Sequence, residues 1–318
     1  MTIDFGLAIE NFTPADKVPS IEGMVKYAQT AESLGYKSLW AWDHLFLGSR
    51  KPFPWHESLT TLAVLASHTG QVELGTGVLV LPIRDPALLA KVAATLQFAS
   101  GGRLTLGMAA GWYEREFEAT GVSFKGRGKV FERNLELLYR LWNEDEVSAE
   151  YDNLVFKHVR MLPKPEARPG VLIGGYVDRV LKRVATKNDG WITYFYTADA
   201  FAQNWAKVRN FAEENGRDPV ELRNVAQLPL CIDGSFEEAT RKSNEYVANY
   251  FDVPEWSDAS VDNAIRGTPE QCAGQIAEHI AAGVQHIVFC PYNYEDEQVA
   301  RLASDVLPLL DSAPARSA

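Results

Sequence analysis

Short apolar runs alternate with amphipathic stretches along almost the whole chain. Residues 3–9 form the first run. The next stretch carries Ile21, Val25, Ala28 and Leu34 near helical spacing and stops at Gly35, which predicts a helix that buries those four side chains and closes at a glycine. Residues 38–42 read as a second strand, 57–67 as a helix, and the β-branched run 72–80 as a third strand. Asp85-Pro86 marks a helix start, an N-cap followed by proline at the first helical position, and Gly101-Gly102 marks its end. Further strands are predicted at 103–109, 171–173, 190–194, 225–231 and 286–290. Ser235-Phe236-Glu237-Glu238 and Thr268-Pro269-Glu270-Gln271 have the spacing of capping boxes. Eight strand–helix pairs in strict alternation predict a parallel sheet, and eight strands close a (β/α)8 TIM barrel. An open doubly wound sheet is the rival, but Glu10-Asn11-Phe12-Thr13-Pro14 after the first strand lacks the nucleotide loop expected there.

The expected layout is a single barrel domain over residues 1–311, with insertions at about 144–170 and 251–266 and a frayed tail at 312–318. Tyr151-Asp152-Asn153 is a turn signal between short β-like runs, so the first insertion reads as a hairpin. The second carries Trp256 and little periodicity, and reads either as a lid or as peripheral packing.

Composition narrows the partners. A formal charge of −11 argues against a broad basic surface for nucleic acid or anionic lipid and favours a small molecule. Cys231, Cys272 and Cys290 are odd in number and far apart, which suits a reducing compartment rather than a disulfide framework or a metal knuckle. Neither a signal peptide nor an apolar run of roughly 18 residues is visible, so a soluble, cytoplasmic protein is expected.

In such a barrel the active site lies at the C-terminal ends of the strands. Asp43-His44 follow the second strand there, a carboxylate beside an imidazole that could serve proton transfer or could simply be a satisfied pair. His56, in the same loop, is a weaker candidate, and His68, His158, His279 and His286 read as structural. Gly75 and Gly77 within a β-branched strand suggest a bulge, a close approach of backbone to a flat ligand, or plain packing. Small residues at Ala109-Ala110-Gly111 leave room at the mouth beside Trp112. Gly174-Gly175-Tyr176, between a strand and a helix start, can present backbone N–H groups to a phosphate. Arg179, Lys182 and Arg183 follow, either as added positive charge or as a solvated face. No HExxH, HxH or Cys/His cluster points to a metal, and no GxSxG to an esterase-like nucleophile.

Several strings together resemble the bacterial luciferase-like oxidoreductases. They are Leu34-Gly35-Tyr36-Lys37-Ser38-Leu39-Trp40-Ala41-Trp42-Asp43-His44, then Leu74-Gly75-Thr76-Gly77-Val78-Leu79-Val80-Leu81-Pro82 with Arg84-Asp85-Pro86. Ser100-Gly101-Gly102-Arg103-Leu104-Thr105-Leu106-Gly107 follows, with Gly111-Trp112 and Glu116-Phe117. Pro163-Lys164-Pro165, Ile173-Gly174-Gly175, Asp189-Gly190-Trp191, Gly267-Thr268-Pro269 and Ala282-Gly283-Val284 extend the likeness over nearly the whole chain.

The resemblance implies a TIM barrel that binds FMN or the deazaflavin coenzyme F420 at its mouth. It places Asp43 and His44 by the reactive ring, with His44 as proton donor or acceptor oriented by Asp43. It further implies a cis peptide at Gly77–Val78 and a cofactor site made by Thr76, Gly77, Val78, Ala109, Gly174, Gly175 and Tyr176, the last three at the phosphate. Trp42, Trp112 and Tyr194 would line the substrate. Sugar-phosphate and alcohol dehydrogenases of this family carry a Glu where this chain has Trp112, which speaks against sugar-phosphate oxidation. Hydride transfer with F420 is the leading expectation. The alternatives are an FMN-dependent monooxygenase supplied by a separate flavin reductase, and a non-catalytic flavin-binding protein. A phosphate-binding lyase or hydrolase is a more distant rival. A homodimer is expected.

Overall fold

The computed structural model describes residues 3–14, 17–47, 53–151, 154–250 and 262–312. Eight parallel strands close on themselves: β1 (Asp4–Ala8), β2 (Ser38–Ala41), β3 (Glu73–Val80), β4 (Leu104–Ala109), β7 (Gly170–Gly174), β8 (Gly190–Tyr194), β9 (Arg223–Ile232) and β11 (His286–Pro291). They pair in that order around the ring, and β11 returns to β1. Two short strands, β5 (Val147–Tyr151) and β6 (Leu154–Val159), form the hairpin expected in the first insertion. One more, β10 (Ile265–Gly267), pairs in parallel with the last residues of β9. The second insertion lies outside the described residues at 251–261, as does the tail from 313. Around the barrel stand α1 (Ile21–Ser33), α2 (Ser58–Ala66), α3 (Pro86–Ala99), α4 (Glu114–Thr120), α5 (Arg127–Asn143), α6 (Asp178–Lys187), α7 (Ala198–Glu214), α8 (Phe236–Tyr250), α9 (Pro269–Ala281) and α10 (Asp296–Arg301). No helix among the described residues is long and apolar enough to cross a membrane.

Strand periodicity divides the core in two. Leu7 and Ile9, Leu39 and Ala41, Val171 and Ile173, Ile287 and Phe289 face the helices. The residues between them or next to them, Ala8, Trp40, Leu172 and Val288, fill the barrel interior. Both faces are apolar because a closed parallel sheet is buried on both sides, so such strands read as continuous hydrophobic runs. Gly75 belongs to this packing: a Cβ there would lie 2.3 Å from the Trp40 indole.

The helix signals hold where they are chemical. The Asp85 side chain accepts from Leu88 N at 2.8 Å ahead of Pro86, and Thr268 with Gln271 forms a reciprocal capping box. The predicted inner face of α1 is corrected in part. Ala28 is buried and Val25 packs half-buried against the core as expected, with Met24, Tyr27 and Ala31 buried beside them, whereas Ile21 and Leu34 are exposed. Small and aromatic residues fit the close crossing over the sheet, and the two terminal aliphatics fall outside that stripe.

At the N-terminal end of the barrel a half-buried polar chain ties four strands. Arg223 grips Glu73 through two hydrogen bonds at 2.6 and 2.5 Å and donates to His286 Nδ1 at 2.8 Å. His286 Nε2 meets Ser38 Oγ at 2.7 Å, and that oxygen also accepts from Trp40 Nε1 at 2.7 Å. Burial, and the Arg223 guanidinium beside it, lower the His286 pKa from 6.5 to about 4, against the opposing pull of Glu73. Between those values the unfolded chain binds a proton that the folded chain refuses, so this contribution is complete above pH 6.5 and falls as pH drops towards 4. The slope is about 1.4 kcal/mol per pH unit over that window. A His286→Gln variant is therefore expected to show a flatter dependence of Tm on pH between 6.5 and 4.5 than the parent. Parallel curves in thermal melts would remove His286 as the cause.

Candidate active site

The C-terminal mouth is organised by two buried polar anchors. Asn11, just past β1, donates to the carbonyls of Trp42 at 2.8 Å and His56 at 3.0 Å and accepts from Trp42 N at 2.9 Å. Asp43 accepts from Ser58 Oγ at 2.8 Å and from Val80 N at 2.9 Å, and pairs with Arg84. Arg84 also binds Glu57 at 3.0 Å, and Glu57 is the N-cap of α2. Burial works to lower the Arg84 pKa, but the two carboxylates outweigh it and hold the guanidinium above its ordinary value. The segments after β2 and β3 and the start of α2 are thus fastened at one point.

The expectation that Asp43 orients His44 is therefore corrected. Both Asp43 oxygens are taken by Arg84, Ser58 and Val80, and none of the carboxylate's hydrogen bonds among the described residues goes to the imidazole. The partner of His44 is Glu116, in the first turn of α4. Its Oε2 lies 2.9 Å from His44 Nδ1, while Oε1 accepts from Leu45 N at 2.5 Å and Phe46 N at 3.0 Å. The two backbone N–H groups occupy Oε1, which leaves Oε2 to the imidazole; where Oε2 accepts, Nδ1 is the nitrogen that carries the proton. His44 Nε2 is left without a protein partner among the described residues. Its ring lies edge-on to Trp55 at 5.4 Å, Trp112 at 5.7 Å and Tyr113 at 6.5 Å. Glu116 was visible in the sequence only as part of Glu116-Phe117; an acidic residue in the first turn of a helix has an ordinary explanation in the helix dipole, which hid this role.

Beside His44 the floor of the mouth is made of small groups. The Gly77–Val78 peptide is cis, as the resemblance implied, and the β3–β4 register shifts between Thr76 and Leu79. Gln227 lies against Gly77, where a Cβ would come within 2.4 Å of its Oε1. The Thr76 hydroxyl is directed to Gly107 O at 2.9 Å and is fully buried. Val78, Ala109 and Gly174 are partly open, and Gly175 follows with φ +130°. Tyr176 is exposed. Tyr194 stacks on Phe195 at 3.7 Å, and burial pushes its phenol well above the ordinary value of 10, so it stays protonated at neutral pH. Trp42 is almost wholly buried: it donates to Tyr294 OH at 2.8 Å and lies edge-on to Tyr194, a packing position behind the open wall.

The remaining histidines have local partners. His56 Nε2 meets Pro19 O at 2.9 Å, His279 meets two backbone carbonyls, and His158 pairs on the surface with Glu146. Arg179 and Arg183 both engage Glu132, on α5. Among the described residues no group of three His, Cys, Asp or Glu side chains could hold a metal ion.

A model of the luciferase-like monooxygenase family matches residues 3–286. Among relatives, the F420-dependent glucose-6-phosphate dehydrogenase of Amycolatopsis mediterranei is 25% identical, with 98% of each chain covered. The FMNH2-dependent dimethylsulfone monooxygenase of Pseudomonas fluorescens is 26% identical, over 92% of this chain and 88% of its own. The solved monooxygenase RslO1 from Streptomyces bottropensis superposes with a TM-score of 0.81 at 20% identity, over 96% of this chain and 99% of its own, a likeness of fold.

Proposed function

The chain belongs to the luciferase-like monooxygenase family, and from that premise we propose that it is an oxidoreductase dependent on the deazaflavin F420, with His44 as its proton-transfer group. The observation that carries this reading is the His44–Glu116 pair: a buried Glu116 holds Nδ1 at 2.9 Å, and Nε2 has no protein partner among the described residues. Two observations fit a flat cofactor with a phosphate arm. A Cβ at Gly174 would press on Val78 Cγ1 at 3.3 Å and meet Ala109 Cβ at 3.5 Å, so backbone and small side chains alone form this part of the mouth. The N–H groups of Gly175, Tyr176 and Val177 donate to no acceptor among the described residues, at the N-terminus of α6, where Val177 offers no side-chain cap.

When bound, the deazaflavin supplies or accepts a hydride. The residues of the chain do the rest. His44 Nε2 takes a proton from a substrate hydroxyl or returns one to a carbonyl, and Glu116 stabilises the imidazolium that results. The aromatic side chains around His44 exclude water from the exchange. A second reading, oxygen insertion with FMN, draws support from the Pseudomonas fluorescens relative, whose name records FMNH2 dependence. A purely binding role is disfavoured, because the His44–Glu116 pair has the arrangement that proton transfer needs.

Fluorescence titration of the purified chain with F420 and with FMN tests the cofactor. Micromolar binding of F420, tighter than that of FMN, is expected. Preference for FMN would overturn the deazaflavin assignment in favour of the monooxygenase, and binding of neither would overturn both. A Gly174→Val variant, whose side chain presses on Val78 and Ala109, is expected to weaken cofactor binding at least roughly tenfold and to lose about 1–3 kcal/mol of stability by overpacking; unaltered affinity would move the ring elsewhere.

A further inference from the structure

Resting on the reading that the mouth holds a flavin-type cofactor, we infer that Gln227 binds the heterocycle of that cofactor through its carboxamide and so positions the ring in the barrel. Gln227 lies on β9, two residues after Val225, which packs in the barrel interior, and the strand register sets it beside Tyr194 of β8. Its side chain crosses the barrel to β3, on the opposite side of the ring of strands. A Cβ added at Gly77 would overlap its Oε1 and press on its Nε2 at 3.1 Å. The carboxamide therefore lies against Gly77, next to Val78, one of the partly open residues of the mouth.

The hydrogen bonding of this buried amide is incomplete. Gln227 is 2% exposed, its Oε1 has no partner among the described residues, and its Nε2 reaches Thr193 O only at 3.4 Å. Reversing the amide would set two oxygens face to face at Thr193, so the open atom is the acceptor. A buried acceptor is costly to leave without a donor, and a neutral amide kept at this depth calls for a partner. An oxidised flavin or deazaflavin ring presents one: an imide edge, with an N–H flanked by two carbonyls. A carboxamide matches that edge with one acceptor and one donor and brings no charge that would have to be desolvated. The ring N–H donates to Oε1, and Nε2, loosely held at Thr193, donates to the neighbouring ring carbonyl. The last torsion of a glutamine is soft, so the amide can turn to an incoming ring while its stem stays packed on β9.

Gln227→Leu and Gln227→Met, which remove the amide at similar volume, test this in the full-length protein by fluorescence titration with FMN and F420 and by thermal melts without cofactor. Both variants are expected to bind the parent's preferred cofactor roughly tenfold more weakly. Their Tm without cofactor should hold or rise, because an unpaired buried acceptor has gone. The N3-methylated form of the same cofactor, which lacks the imide N–H, should lose roughly tenfold in affinity on the parent and much less on the variants. Unchanged cofactor affinity in both variants would overturn the role of Gln227. A Tm that falls in step with affinity in both would make the residue structural and overturn it equally. Titration of the parent is read first: a parent that binds beside variants that bind as well sinks this inference and leaves the proposed function standing, whereas a parent that binds neither cofactor overturns both.

Discussion

His44→Asn is expected to lower kcat/KM by about 10²- to 10⁴-fold while Tm and cofactor affinity stay close to those of the parent. Asparagine keeps an N–H near the position of Nδ1, so Glu116 retains its third donor and the buried carboxylate is not abandoned. What disappears is Nε2, the ring nitrogen that has no protein partner among the described residues. Alanine would be a poorer test. It would leave Glu116 one donor short and mix a stability loss of about 1–3 kcal/mol into the kinetics. Turnover, melting temperature and cofactor titration measured together distinguish the outcomes. A variant that retains nearly full kcat/KM would remove His44 from the chemistry, whereas a fall in Tm matching the lost activity would make its role structural.

The second large effect falls on stability. Asp43→Ala is expected to destabilise the fold by about 3–5 kcal/mol in denaturant unfolding, because it strips one partner from a buried ion pair. The Asp43 side chain is 1% exposed and that of Arg84 15%. Without Asp43, the guanidinium keeps only Glu57, and Ser58 Oγ and Val80 N lose their acceptor. Replacing both members of the pair, Asp43→Leu with Arg84→Met, should recover part of the loss, since the guanidinium no longer stands without Asp43 and Glu57, half-exposed, still accepts from Thr60 N at the start of α2. A single Asp43→Ala variant as stable as the parent would show that the clamp contributes little. One that keeps its stability but loses turnover would return Asp43 to the proton-transfer role that its place beside His44 first suggested.

These two residues illustrate how far sequence neighbours can mislead. Asp43 and His44 are adjacent, yet successive side chains leaving a strand point to different surroundings. Asp43 turns down into the clamp with Arg84, and His44 turns across to α4, whose Glu116 is 72 residues away in sequence. A similar division separates the two glycines of β3. Gly75 makes room for Trp40, and Gly77 lies at the cis peptide above Gln227. The pattern Gly-x-Gly announced that backbone and neighbour approach closely, but not which neighbour.

What the sequence determined by itself is what short-range physics encodes. Alternating apolar runs and amphipathic stretches specified eight parallel strands with covering helices, because each element must bury its own face whatever its partner. Asp85, Thr268 and Gly35 marked helix ends through bonds or backbone angles made within a few residues. The aliphatic face of α1 was misread in part, since the depth of a helix over the sheet depends on side chains contributed by other elements. Only the tertiary structure decided that Glu116 holds His44, that Asp43 is part of a structural clamp, and that Trp55, Trp112 and Tyr113 converge on one imidazole. The reason is geometric: barrel closure brings together loops from different strand ends, and the carboxylate that fixes a proton is chosen by distance in space, to which spacing along the chain is blind.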